Sequence, residues 1–167
     1  MKAKFRLPKE EQDFFFQTIK EIIYTQDFLR LKQFRHHGNI STYTHVIKVA
    51  YLSFCHAIKK HKRINKKELI RSALLHDLYF YDWHDKHNGV HLHGLFHPKK
   101  AVQNAKRLYS ITKREQRHMA HHMFPLTLIP PTTREGWIIC IFDKLAARSD
   151  YKAIKLKKKA LKKASLK

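Results

Sequence analysis

The chain has 167 residues, 43% of them hydrophobic, which fits one compact domain with a real core and leaves little room for a second. Only 4 Gly and 5 Pro are present, poor material for a turn-rich β-protein and good material for long helices. The 35 Lys+Arg against 13 Asp+Glu give a formal net charge of +22, a field that attracts polyanions such as nucleotides, RNA, DNA or acidic lipid surfaces without choosing among them. Cys55 and Cys140 sit in apolar helical contexts and read as small core residues rather than a disulfide framework, which fits a reducing cytoplasm. The N-terminal apolar stretch is broken by Lys20, Glu21 and Asp27, so it does not read as a signal peptide. No apolar run approaches transmembrane length. The expectation is a cytoplasmic protein without a transmembrane segment.

In chain order, Pro8-Lys9-Glu10-Glu11 reads as a helix start, with Pro in the first turn and acids at the positive dipole end. Apolar residues then recur at helical spacing from Phe14 to Phe34 (Phe15, Ile19, Ile22, Ile23, Leu29), and Phe14-Phe15-Phe16 reads as core. Gly38-Asn39 breaks this helix. Ser41 or Thr42 caps the next, to about His61, and Asn65 caps one from Lys66 to about Asp77. The stretch from Tyr79 to His97 mixes aromatics, Asp, two Gly and five His without clean periodicity and reads as a loop, a frequent carrier of sites. Pro98 starts a helix ending near Tyr109, Thr112 caps one to about Met123, and Thr133 caps one from Arg134 to about Arg148. Asp150 reads as the cap of a last helix with a Lys-rich tail. That tail is a solvated helix or a site for RNA or an anionic membrane. The division is an N-terminal helical segment over 1–40 packing on the core, a central domain over 41–149 and a basic tail over 150–167.

Chemistry gathers at His76-Asp77, at the end of a buried-looking helix where both side chains can reach one ion from neighbouring directions. Such a pair alone is weak. His45 lies 31 residues earlier on a capped helix, and Asp143 lies 66 residues later inside the apolar run GWIICIFDKLAA, where an acid is costly unless paired or metal-bound. His118 and His122 share a face at i and i+4, but no Glu follows His118 as a zinc protease would need. His36, His37, His56 and His61 lack motif context and read as surface or ordinary polar residues.

His45, then His76-Asp77, then Asp143 on helical segments resembles the HD superfamily of metal-dependent phosphohydrolases, over roughly Ser41 to Arg148. The resemblance implies an all-α fold, a single helical bundle with its metal site at the centre, and these four residues as ligands of a first ion. His97-Pro98 at a helix start, with His121-His122 on the next helix, is similar to dinuclear members, including the HD-GYP phosphodiesterases and bacterial diadenosine tetraphosphate hydrolases. By that resemblance a second ion is held by His97 and His122, with His93 and His121 as rivals and Asp77 shared. The glycine- and tyrosine-bearing motif of HD-GYP proteins is missing after His122, where Met123-Phe124-Pro125-Leu126-Thr127 stands. That argues against cyclic-dinucleotide hydrolysis. The strings HGLFHP, HHMFPLT and FDK resemble a group of small bacterial HD-domain proteins.

The implied reaction is hydrolysis of a phosphate ester or phosphoanhydride of a nucleotide by metal-activated hydroxide, with one or two divalent transition ions (Mn, Fe, Ni, Co or Zn) per chain. Lys144, Lys48 and more weakly Arg71 are candidates to hold the phosphate. Trp83, Tyr79 or Tyr81 can stack on a base, and Asp82 can orient a ligand or act on the leaving group. Two alternatives stand beside this reading: a single-ion nucleotidase using His45, His76, Asp77 and Asp143, and a basic scaffold that docks on RNA or ribosomes with little catalysis.

Overall fold

In the computed structural model, residues 6–85 and 92–164 are described, with side chains to 156. Helix α1 (Lys9–Ile23) starts beside Pro8 with Glu10 and Glu11 in its first turn and buries Phe15, Ile19 and Ile22, one stripe of a 3.6-residue helix. Successive helical residues point about 100° apart, so only the middle phenylalanine of Phe14-Phe15-Phe16 enters the core. Phe15 is 3% exposed, Phe14 38% and Phe16 61%.

The expected single helix to Phe34 is interrupted. The Thr25 hydroxyl accepts the Phe28 N–H at the start of α2 (Gln26–Leu29) and lies 2.6 Å from the Tyr109 hydroxyl. Threonine's local bonding competes with helix continuation, and a 3-10 turn over Arg30–Gln33 follows. Strands β1 (Arg35–His37) and β2 (Ile40–Ser41) then pair antiparallel around Gly38, whose φ of +56° is a conformation glycine adopts without strain. Gly38-Asn39 is thus a hairpin turn.

Helix α3 (Thr42–Lys59) is capped by Ser41, which accepts the Thr44 N–H. Its buried stripe runs through Thr42, His45, Val46, Val49, Ala50, Ser53, Phe54 and Ala57, so His45 lies in the core face. Helix α4 (Lys66–Leu75), capped by Asn65, is buried at Leu69, Ile70 and all of Ser72 to Leu75. A helix end apolar all round belongs inside the molecule. Helix α5 (His93–Leu108) begins five residues before Pro98, inside the stretch expected to be a loop. A bond from His97 Nδ1 to the His93 carbonyl at 2.9 Å joins its first turn. Helix α6 (Lys113–Ala120) opens with a capping box between Thr112 and Glu115 and stops short of the expected Met123.

Helix α7 runs unbroken over Arg134–Ala164. Asp150 therefore caps nothing; its carboxylate is buried, 3% exposed, and pairs with Lys48. The last lysines expected in the tail lie outside the described side chains. Helix α3 packs on α4 and α7, α4 also on α1 and α6, and α5 on α6. The molecule is a mostly helical bundle with α4 at its centre and one small hairpin. Cys55 and Cys140 are free; Cys140 is buried and Cys55 half-buried. Among the described residues, no helix is long and apolar enough to cross a membrane.

Candidate metal centre

The buried stripes of three helices converge on one point. Helix α3 delivers His45, the end of α4 delivers His76 and Asp77, and α7 delivers Asp143. His97 comes from α5 and His122 from the turn after α6. All six are buried, none more than 8% exposed.

His45 Nε2 lies 3.0 Å from Asp143 Oδ1. His76 Nε2 lies 3.6 Å from the same oxygen and 3.5 Å from Asp77 Oδ2. On the other side, Asp77 Oδ1 is 3.2 Å from His97 Nε2 and 3.6 Å from His122 Nε2. Asp77 thus turns one oxygen to each group. Three sets of donor atoms within 4.8 Å of one another result among the described residues: His45, His76 and Asp143; His76, Asp77 and His122; and His36, His45 and Asp77.

The outer nitrogens of the imidazoles are committed. His76 Nδ1 lies 2.8 Å from the Ala73 carbonyl, His97 Nδ1 2.9 Å from that of His93, and His122 Nδ1 2.7 Å from that of Met119. A carbonyl only accepts, so each Nδ1 carries a proton, and in the neutral ring it is Nε2 that presents its lone pair inward. This support of the far nitrogen is the usual arrangement behind metal-binding histidines. His76 Nε2 and Asp77 Oδ1 are buried without a hydrogen-bond partner, an arrangement that costs free energy unless a cation is bound. His97 and His122 bring their Nε2 atoms within 2.9 Å of each other. With both rings neutral, two lone pairs so close repel; a shared proton or a cation between them makes the approach favourable. Burial, reinforced by His76 and His97, pushes His122 down to about 3, so a proton is disfavoured there and a metal ion fits. Burial alone would raise both carboxyls. The neighbouring histidines outweigh it, chiefly His76 and His97 at Asp77 and His45 and His76 at Asp143, and hold both well below the usual carboxylate range.

Asp77, His97 and Asp143 of the cluster line a cavity of about 590 Å³ whose wall also includes Trp83, His93, Met123 and Lys144, a size that holds a small ligand. Trp83 stacks on His93 (centroids 5.1 Å apart) and on His84 (3.7 Å). His93, half-buried, also stacks on His97 and holds the Tyr81 hydroxyl at 3.0 Å from Nδ1. Tyr79 is fully buried. Asp82 Oδ1 accepts the His84 backbone N–H at 2.9 Å and so shapes its own turn. Lys144 Nζ donates to the His122 carbonyl at 2.9 Å and the Cys140 carbonyl at 3.1 Å.

Several expected residues stand elsewhere. Lys48 does not line the cavity; its ammonium binds Ser149 and Asp150. Arg71 is held by Glu115 at 2.7 Å and by the Ser110 carbonyl. His118 turns to the Ser72 hydroxyl at 3.1 Å, and α6 ends before His122, so the two do not form an i, i+4 pair on one helix. His121 is half-buried and contributes to none of the donor sets.

Two residues go beyond the motifs. His36, read as an ordinary polar residue, is 6% exposed, with Nε2 3.0 Å from Asp77 Oδ2. Asp150 Oδ2 lies 3.7 Å from His45 Nδ1, and both atoms are otherwise buried without a partner. The spacing of Asp143 and Asp150, two turns on one face, was a legible signal for the second; the Gly-Asn turn was a weaker one for the hairpin that carries His36.

Searches of curated proteins and of solved structures found no match to the chain. Residues 42–148 match the HD domain family, a span that holds His45, His76, Asp77, His97, His122 and Asp143 and covers nearly two thirds of the sequence. With that span and a buried His/Asp cluster at its centre, the chain belongs to the HD domain family.

Proposed function

We propose that this protein is a metal-dependent phosphohydrolase with two divalent transition ions, acting on a phosphate ester or phosphoanhydride of a nucleotide. The observation that carries the reading is the 2.9 Å approach of His97 and His122 through nitrogens whose far sides are already donating to carbonyls. His45, His76, Asp77 and Asp143 would hold one ion, and Asp77, His97 and His122 the other, with Asp77 shared. Imidazole with carboxylate suits Mn, Fe, Ni, Co or Zn. Bound there, such ions supply a water nucleophile near neutral pH and draw charge from a phosphoryl oxygen.

The residues around the cluster do the rest. The carbonyls of Ala73, His93 and Met119 fix three imidazoles in one tautomer. Lys144 is the ammonium on the cavity wall. Its third partner, Cys140 Sγ at 3.3 Å, is a weak acceptor that a phosphate oxygen can replace with gain. Trp83 and His93 form the aromatic side against which a base can rest. Lys48 neutralises Asp150 instead of holding phosphate. The +22 charge raises the local concentration of any anionic substrate.

The test is the metal content of untagged protein by elemental mass spectrometry, followed by a screen of nucleotide esters and anhydrides with the metal found. About two ions per chain and turnover of a phosphorylated substrate are expected. One ion would leave a single-ion nucleotidase. No ion, even after Mn, Fe, Ni, Co and Zn are added back, would overturn the enzyme reading in favour of a basic scaffold for RNA.

A further inference from the structure

Hairpin β1–β2 lies ahead of the segment that matches the family, yet it reaches the centre. The His36 ring lies on His45, centroids 3.7 Å apart and planes 14° from parallel, with Nε2 3.0 Å from Asp77 Oδ2. Its tautomer decides what it does there. His76, His97 and His122 each give Nδ1–H to a carbonyl. His36 Nδ1 is buried and meets no partner. A proton on Nδ1 would leave a buried N–H unsatisfied and would aim the Nε2 lone pair at a carboxylate oxygen. A proton on Nε2 removes both faults: Nε2–H donates to Asp77 Oδ2, and only an acceptor lone pair goes unfilled, the more tolerable omission.

We propose that His36 is a positioning residue, which donates Nε2–H to Asp77 Oδ2 and fixes the carboxylate plane so that Oδ1 faces His97 and His122. The inference rests on the two-ion reading. The hairpin is held for the task by α7. The His37 ring packs on Tyr151 at 4.4 Å, and a Cβ on Gly38 would stand 2.5 Å from Ile154 Cδ1. Segments on both sides of the family span therefore close over the centre, and the matched span alone lacks this support for its shared ligand.

The experiment compares wild type, His36→Gln and His36→Ala as full chains. Metal stoichiometry and affinity are read by competition with a chelator using Mn(II), and the absorption spectrum is read with Co(II). The Gln amide can donate from near the Nε2 position. His36→Gln is expected to keep both ions and the wild-type Co(II) bands, while His36→Ala loses about 10–100-fold in affinity for the ion at His97 and His122, as removal of an outer-sphere partner does. Nitrogen-15 NMR of the metal-free protein is expected to find the His36 proton on Nε2 and those of His76, His97 and His122 on Nδ1, a readout that needs no variant to fold. A Gln variant as impaired as Ala, with altered Co(II) bands, would make His36 a ligand and overturn the proposal. So would a His36 proton on Nδ1. Ions bound equally by wild type and His36→Ala would overturn this inference alone; a wild type that takes up no ion overturns the two-ion reading and this inference with it.

Discussion

The two ends of the centre use the same residue types and support them in opposite ways. At one end His45 sits between carboxylates, with Asp143 Oδ1 3.0 Å from Nε2 and Asp150 Oδ2 3.7 Å from Nδ1. Burial alone would lower it, but the two carboxylates outweigh burial and raise it to about 9. At the other end His122 sits between a carbonyl and another imidazole and falls to about 3. Both rings are 1% exposed or less, so the partner and not the depth of burial sets the outcome. Without metal, a proton can stand in for the cation at His45. At His122 a proton is disfavoured, and an ion bound there would offset the facing lone pairs.

The largest expected effect removes the residue common to both ends. Asp77→Ala takes away the oxygens facing His76, His97 and His122. Loss of both ions is expected, with hydrolysis reduced by more than the roughly 100-fold that outer-sphere changes produce. Metal analysis and a rate assay check it; a variant that still holds two ions would remove Asp77 from the shared position. His122→Ala should separate the ends, with one ion lost and one kept. If the stoichiometry stays at two, His122 does not hold the second ion.

Asp150→Ala probes the support of His45 alone. The expected loss is about 10–100-fold in affinity for the ion at the His45 end, with the other ion's affinity unchanged. Asp150→Asn keeps an acceptor for Nδ1–H and should lose less. Equal affinities in both variants and wild type would reduce Asp150 to a partner of Lys48.

Much of this centre was legible in the sequence, for a physical reason. His45 and Asp143 sit on stripes whose neighbours are apolar at helical spacing, so periodicity alone turned them inward. His76 and Asp77 follow a helix whose last turn, Ala73-Leu74-Leu75, is too apolar to lie anywhere but inside. His36 was not legible. Its place depends on a short strand packed against α7, and the Gly-Asn turn marks the hairpin only weakly and says nothing of which strand residue turns inward. Asp150 was missed because a polar Arg-Ser-Asp step looks like a helix boundary, and Asp is a good cap. In the fold, α7 continues through it, since the carboxylate bonds to Lys48 across the helix pair. The start of α5 was missed because a His-rich stretch has no apolar period, although its own His97-to-His93 bond is local.

The opposite shifts of His45 and His122 also contribute to how metal-free protein responds to pH. Burial lowers His36, His37 and His93 in the direction of His122, and at His76 the carboxylates outweigh burial and raise it in the direction of His45. His45 is raised from 6.5 to about 9, so its contribution to stability is fully present below 6.5 and is lost as pH rises through 9. His122 is lowered from 6.5 to about 3, so its contribution is present above 6.5 and is lost as pH falls toward 3. Asp77 and Asp143, held below 3.8, add to the loss only under more acid conditions. The melting temperature of metal-free protein should therefore peak near pH 6.5 and decline on both sides. Added metal should lift the alkaline side most, where the His45 proton is leaving. A flat metal-free profile between pH 6.5 and 9 would show that no proton bridges His45 to its carboxylates.

The smallest expected effect on the centre comes from the basic end of the chain. A cut after Leu156 removes six lysines but keeps Asp150 at His45, Tyr151 on His37 and Ile154 on Gly38. Metal affinity and turnover of a small substrate should stay within about twofold, since charges beyond roughly 10 Å are screened at 0.1 M salt. Binding to single-stranded RNA should weaken, and its logarithmic salt slope should shrink by about 0.7 for each phosphate that the shortened chain no longer neutralises. A cut after Arg148 removes those same lysines together with Asp150, Tyr151 and Ile154, so it should weaken metal binding as well. If both cuts weaken metal binding equally, the support over the centre extends past Leu156; if neither does, the hairpin holds His36 in place without α7.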